Sequence, residues 1–172
     1  PDVIAGSPEI SKSGPSTNQL SIINISFTIL PWQVWRRRKN LQLRACGGSI
    51  MANIIGTSND DILFGTAFDD WLDGLNGNDV LYAGDGNDGL SGGAGDDFLY
   101  GEAGDDNLIG GPGDDLLDGG SNGPFVDTAD YNNDPSGVVV NLVTGTATDG
   151  WGGTDTLVNI ESVTGSSFHD YL

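Results

Sequence analysis

One phrase is written seven times in this chain. From Gly56 it reads in nines, without an insertion, to Asp118: GTSNDDILF, GTAFDDWLD, GLNGNDVLY, AGDGNDGLS, GGAGDDFLY, GEAGDDNLI and GGPGDDLLD. Position six is Asp in every row (Asp61, Asp70, Asp79, Asp88, Asp97, Asp106, Asp115), and position eight is Leu in every row (Leu63, Leu72, Leu81, Leu90, Leu99, Leu108, Leu117). A fixed period decides the architecture before local propensity can, because each unit buries its apolar face only against its neighbours. Six Gly-, Asp- and Asn-rich residues do not make a helix, whereas three such as Val80-Leu81-Tyr82 suit a short strand. Each row is therefore a turn followed by a strand, and the fold class is all-β.

A second period lies inside the first. Positions seven and nine flank the inward Leu and face the other side of the same strand. In rows one, three, five and seven these residues are Ile62/Phe64, Val80/Tyr82, Phe98/Tyr100 and Leu116/Asp118; in rows two, four and six they are Trp71/Asp73, Gly89/Ser91 and Asn107/Ile109. This eighteen-residue alternation predicts a parallel β-solenoid with two rows per turn, odd strands in one sheet and even strands in the other, with leucines meeting between them.

Charge divides the chain into two materials. All six basic residues precede residue 51, where only Asp2 and Glu9 of the 25 acids stand, so the formal charge is +4 before Met51 and −23 from it onward. Residues 1–50 hold an apolar run, Leu20 to Leu30, followed by Pro31 and Arg36-Arg37-Arg38-Lys39. That order is the reverse of a signal peptide's, and the run is short and polar for a membrane span. The segment reads as sequence upstream of a start at Met51, as a linker from another domain, or as a basic membrane-proximal piece. Cys46 is the sole cysteine, so no intrachain disulfide forms. The sequence divides into this basic segment (1–50), a repeat roll (51–118), an irregular β-rich segment that packs on or joins repeat arrays (119–164), and the start of a truncated row, GSSFHDYL (165–172).

Carboxylates and backbone carbonyls are hard oxygen ligands, which suit calcium at six to eight coordination, and no His or Cys cluster invites a softer metal. Glycine at positions one and four is expected to take positive φ and turn successive carbonyls toward one point, with the position-six Asp supplying charge. Neighbouring rows turn on opposite sides, so the loops that share an ion are those of rows i and i+2. Rows one to seven carry 16 acids and no base, and without a cation such a stretch repels itself. Binding and folding are then one event.

These rows resemble the nonapeptide G-G-x-G-x-D-x-U-x of the RTX (repeats-in-toxin, hemolysin-type calcium-binding) family. The resemblance covers residues 56–118, and the segment from Asp127 to Leu172 is more loosely similar to pieces that join such arrays. It implies a right-handed parallel β-roll with calcium between its loops, in a protein exported unfolded by the type I secretion apparatus of a Gram-negative bacterium and folded extracellularly. Carried over row by row, the candidate metal-site residues are Asp61, Asp70, Gly77, Asp79, Gly84, Gly86, Asp88, Gly93, Gly95, Asp97, Gly104, Asp106, Gly111, Gly113 and Asp115. Asn59, Asn76, Asp85 and Asp170 are weaker candidates. Rows one and two depart from the motif, with Asn59 and Phe68 in place of the position-four Gly, and read as weak sites or an N-terminal cap. The complete row pairs imply at least three calcium ions.

Other readings are weaker. A Gly/Asp linker has no reason to keep Leu at every eighth position, and no EF-hand loop is present. His169, the only histidine, stands in the turn of the truncated row and reads as a loop residue. No H-E-x-x-H, G-x-S-x-G or phosphate loop appears, so catalysis is not expected in this segment. The excess of acid argues against nucleic acid as a direct partner. No membrane span is expected in 51–172. The outward column Phe64, Tyr82, Tyr100 is expected to pack beneath the Phe125 to Leu172 segment, or else to form a patch for another domain or a ligand. The main functional expectation is a calcium-dependent structural module. The alternatives are the accessory part of a secreted enzyme or toxin (metalloprotease, lipase, epimerase or hemolysin), or a calcium-dependent surface adhesin.

Overall fold

The computed structural model describes residues 41–46 and 49–172; the apolar run and the basic cluster before residue 41 lie outside the described residues. The described secondary structure is strand throughout. Ahead of the repeats stand β1 (Leu41–Cys46) and β2 (Ser49–Ile55), an antiparallel pair. Row one supplies β3 (Ile62–Phe64), row two β4 (Trp71–Asn76), row three β5 (Val80–Asp85) and row four β6 (Gly89–Ala94). Rows five to seven supply β7 (Phe98–Gly104), β8 (Asn107–Ile109) and β9 (Leu116–Asp118).

The strands sort by row parity, as the eighteen-residue period requires. β3, β5, β7 and β9 pair in parallel with Leu63, Leu81, Leu99 and Leu117 in line. β2, β4, β6 and β8 do the same with Ile54, Leu72, Leu90 and Leu108 in line. The leucines of the two sheets meet between them; Leu72 to Leu117 are fully buried and Leu63 nearly so. Each such side chain contributes roughly 1.5–3 kcal/mol by leaving water. On the outside of the even sheet, a side chain at Gly89 would run into the indole of Trp71, its partner in the neighbouring coil. The bare glycine therefore makes room for that ring.

The solenoid does not stop at Asp118. The remaining strands are β10 (Ser121–Asn122), β11 (Thr128–Asp130), β12 (Val139–Asn141), β13 (Thr146–Thr148), β14 (Thr154–Val158) and β15 (Ser162–Thr164). β11 pairs in parallel with β8, and β15 with β11, extending the even sheet. β14 lies parallel to β9, with Leu157 opposite Leu117, and extends the odd sheet. Residues 150–158, GWGGTDTLV, are thus a further nonapeptide row with Gly, Gly, Asp and Leu at positions one, four, six and eight. The β12–β13 pair continues that sheet antiparallel from β14, and Tyr171 of the final row pairs in parallel with Val139.

This arrangement corrects one expectation. The C-terminal segment lengthens both sheets edge to edge, because its strands find their hydrogen-bond partners in the ladder, and it does not cover the aromatic column. Phe64 remains 53% exposed, and Phe64, Tyr82 and Tyr100 instead stack on each other, with centroids 5.3 and 5.0 Å apart and planes within 9°.

Candidate metal centre

The left-handed residues of each loop are at positions two and four, where positions one and four were expected. Gly77, Gly86, Gly95, Gly104 and Gly113 at position four have φ between 113° and 155°. Gly84, Gly93 and Gly111 at position two are also left-handed, and so are two residues with side chains, Leu75 at 81° and Glu102 at 72°. Position-one glycines have ordinary φ and are small for a different reason. A side chain at Gly74, Gly92, Gly101 or Gly110 would collide with Oδ2 of the position-six Asp of its own row. At Gly74 and Gly101 it would also meet the position-one carbonyl two rows on, that of Gly92 or Gly119.

The position-six aspartates form two columns, one on each side of the roll. Oδ1 of each accepts the position-six amide of the row two before it: Asp79 from Asp61, Asp88 from Asp70, Asp97 from Asp79, Asp106 from Asp88 and Asp115 from Asp97, all at 2.6–2.8 Å. The columns continue past the repeats through Asp127, which accepts from Asp106, and Asp155, which accepts from Asp115. Asp70 accepts from Ala52 at the other end. Loops i and i+2 therefore touch through these carboxylates, which is the row pairing expected from the sequence.

A second ladder runs in the opposite sense. Side-chain oxygens at position five accept the position-five amide two rows ahead: Asp60 from Asn78, Asp69 from Asn87, Asn78 from Asp96, Asn87 from Asp105 and Asp96 from Asp114. This column was not among the candidates, although Asp or Asn fills position five in every row. Asp127 and Asp155 were missed as well; in both, the signal was an Asp two residues before a small or apolar residue, Ala129 and Leu157.

The other carboxylate oxygen carries the chemistry. Oδ2 of Asp79, Asp88, Asp97, Asp106, Asp115 and Asp127 is buried with no hydrogen-bond partner. Burial accordingly pushes these carboxyls up despite the amide that each accepts: Asp88 and Asp97 to about 7, Asp106 to about 6 and Asp115 to about 8, with Asp79 and Asp127 also raised. An uncompensated buried carboxylate oxygen is costly unless a cation or a donor answers it. The orphaned oxygens beside backbone carbonyls form a hard, anionic, all-oxygen donor set, which fits calcium. Among the described residues no three His, Cys, Asp or Glu side chains gather around one point, so backbone carbonyls must complete any coordination shell.

The remaining candidates fall elsewhere. Oδ2 of Asp61 accepts from the amide and hydroxyl of Thr57, and Oδ2 of Asp70 from those of Thr66. The divergent rows one and two thus hold satisfied carboxylates. Asn59 is exposed and its amides point to Thr57 Oγ1; Asn76 and Asp85 are exposed at the rim. Asp170 accepts from Ser166 Oγ and the Val138 amide, which hold its carboxyl below the usual range.

Fold and site together define a parallel β-roll whose glycine loops stack carboxylates. Residues 55–90 and 91–123 match the family model of the RTX calcium-binding nonapeptide repeat, so this array belongs to the RTX repeat family and is a calcium-binding repeat module. A search of curated proteins finds no match.

Proposed function

We propose that the chain is a calcium-dependent folding module of an exported protein, poorly folded where calcium is scarce and ordered where it is plentiful. The observation that carries this reading is the set of six buried, unpartnered Oδ2 atoms in the two columns, those of Asp79, Asp88, Asp97, Asp106, Asp115 and Asp127. When bound, calcium supplies the positive charge that these oxygens otherwise lack. The protein's own groups do the rest: Oδ1 of each aspartate holds the preceding loop in register, the position-five ladder ties the same loops in the other sense, and the left-handed glycines let the backbones approach. At least three ions between rows i and i+2 fit the columns, with the position-six carboxylates and the carbonyls of the glycine loops as ligands.

Extracellular modules bind calcium at about 10⁻⁴ to 10⁻³ M, far above cytosolic levels, so mass action alone would delay folding until export. The family is typical of secreted bacterial proteins, which supports an extracellular location and passage through a type I secretion apparatus. No helix among the described residues is long and apolar enough to cross a membrane. We read the segment as structural and non-catalytic; an attached enzyme, toxin or adhesin would bring its own site. Isothermal titration of the chain with calcium and separately with magnesium tests the binding: saturable heat with calcium at submillimolar to millimolar concentration supports it, and equal or absent heat for both ions refutes it.

A further inference from the structure

The position-six carboxylates fall into two kinds. In the middle of each column Oδ2 is buried and bare: Asp79, Asp97 and Asp115 on one side, Asp88, Asp106 and Asp127 on the other. At the start of each column a hydroxyl answers it, Thr57 Oγ1 on Asp61 at 2.6 Å and Thr66 Oγ1 on Asp70 at 2.8 Å. At the far end of the first column the fully buried Asp155 would repeat the predicament of Asp115, but Tyr131 Oη donates to its Oδ2 at 2.9 Å. Tyr131 is itself buried, and its phenol is held protonated by desolvation and by the neighbouring carboxylate.

Sequence and geometry agree on the division. The rows that open Gly-Thr or Gly-Ser, at 56, 65 and 165, lack glycine at position four, where they carry Asn59, Phe68 and Phe168. Rows three to seven, which have glycine there, have no hydroxyl at position two. Thr57 and Thr66 are not left-handed, whereas position two of rows three to seven is left-handed in every case. A hydroxyl at position two and a left-handed loop thus exclude each other. Ser166 repeats the arrangement on Asp170 in the final row.

We propose that the hydroxyls of Thr57, Thr66 and Tyr131 stand in for the cation at both ends of the first carboxylate column and at the start of the second, leaving the column carboxylates Asp79, Asp88, Asp97, Asp106, Asp115 and Asp127 to calcium. This rests on the calcium reading above and adds to it where binding starts and stops. It also assigns to Asp127, beyond the span that matches the repeat family, the same role as the repeat aspartates. A hydroxyl proton supplies the donor that a carboxylate oxygen requires without needing a metal. The carboxylates at these three column ends are then satisfied without the metal, and they flank a metal-dependent centre.

Tyr131→Phe tests this with little change in shape, and Thr66→Val repeats the test at the other end. Bound calcium is counted by equilibrium dialysis, and melting temperature is measured in limiting and in saturating calcium, for the native chain and both variants. The proposal predicts one additional bound calcium per chain in Tyr131→Phe, and a melting temperature below native in limiting calcium that returns to native in saturating calcium. Thr66→Val is predicted to show the same calcium-repaired deficit. A deficit of equal size in both conditions, with an unchanged ion count, would mean that the hydroxyls only support packing and would overturn the proposal while leaving the calcium reading intact. Absence of calcium uptake by the native chain would overturn both.

Discussion

The backbone amide of Asp79 donates to Oδ1 of Asp97 at 2.7 Å, and the other oxygen of that carboxylate is buried without a partner. The two oxygens have separate tasks, one in register and one in charge. Asp97→Asn keeps the first and removes the second. In chelator the balance between coil and fold is expected to lie about 1 kcal/mol closer to the fold in the variant than in the native chain, because an unanswered buried carboxylate oxygen is gone. Far-UV circular dichroism in chelator at neutral pH is then expected to show more β structure than native. In calcium the variant is expected to gain less than native does. A variant less stable than native in chelator would show that Oδ2 is not a liability there.

The raised carboxyls predict a pH dependence with a definite sign. In the unfolded chain an aspartate titrates near 3.8, whereas Asp88 and Asp97 in the fold titrate near 7 and Asp115 near 8. Below about pH 4 these groups are protonated in both states and stability is greatest. As pH rises toward 8 the unfolded chain loses its protons first, so the metal-free fold weakens. In saturating calcium the slope reverses, because protons compete with the cation for the same oxygens. Far-UV circular dichroism between pH 4.5 and 8.5, with chelator and with calcium, checks both slopes.

How much of this was legible in the sequence depended on what each residue answers to. Leu63 to Leu117 recur because the core demands them, so the register could be read directly. The outward residues, Phe64 and Tyr82 against Asp73 and Ser91, disclosed the division into two sheets. The left-handed position two was hidden because Leu75 and Glu102 occupy it in two rows, and glycine at position one misled because its smallness serves the neighbouring carboxylate. The rows that follow Asp118 were hidden by broken counting. Asp127 stands 21 residues after Asp106 and Asp155 stands 40 after Asp115, so a search at eighteen passes over both. The hydroxyl of Tyr131 has no sequence signal, since only the fold brings it to Asp155.

Backbone handedness gives a paired prediction. Glu102 is left-handed at 72°, a conformation that costs a residue with a side chain about 1–2 kcal/mol. Glu102→Gly removes that strain but adds freedom to the unfolded chain, for a net gain of up to about 1 kcal/mol. Gly95→Ala goes the other way. At φ 134° its new Cβ would press on the backbone of Gly77, and a loss of about 2–4 kcal/mol is expected from strain and crowding together. Thermal melts in calcium that ranked the two variants in the reverse order would contradict the loop geometry.

The aromatic column is a cation-independent contribution. Tyr82 lies between Phe64 and Tyr100 and stacks on both, so Tyr82→Ala removes two contacts where Phe64→Ala removes one. At about 0.5–1.5 kcal/mol per stacked pair, the Tyr82 variant is expected to be the less stable. Equal losses in denaturant melts of the two variants would show that the stack adds nothing beyond burial.

The most direct test of the account is a far-UV circular dichroism titration of the 172-residue chain, started in chelator and carried through calcium, with magnesium as the control. The account predicts a coil-like spectrum that converts cooperatively to β structure at submillimolar to millimolar calcium and not with magnesium. A full β spectrum already present in chelator at neutral pH, unchanged by calcium, would contradict it.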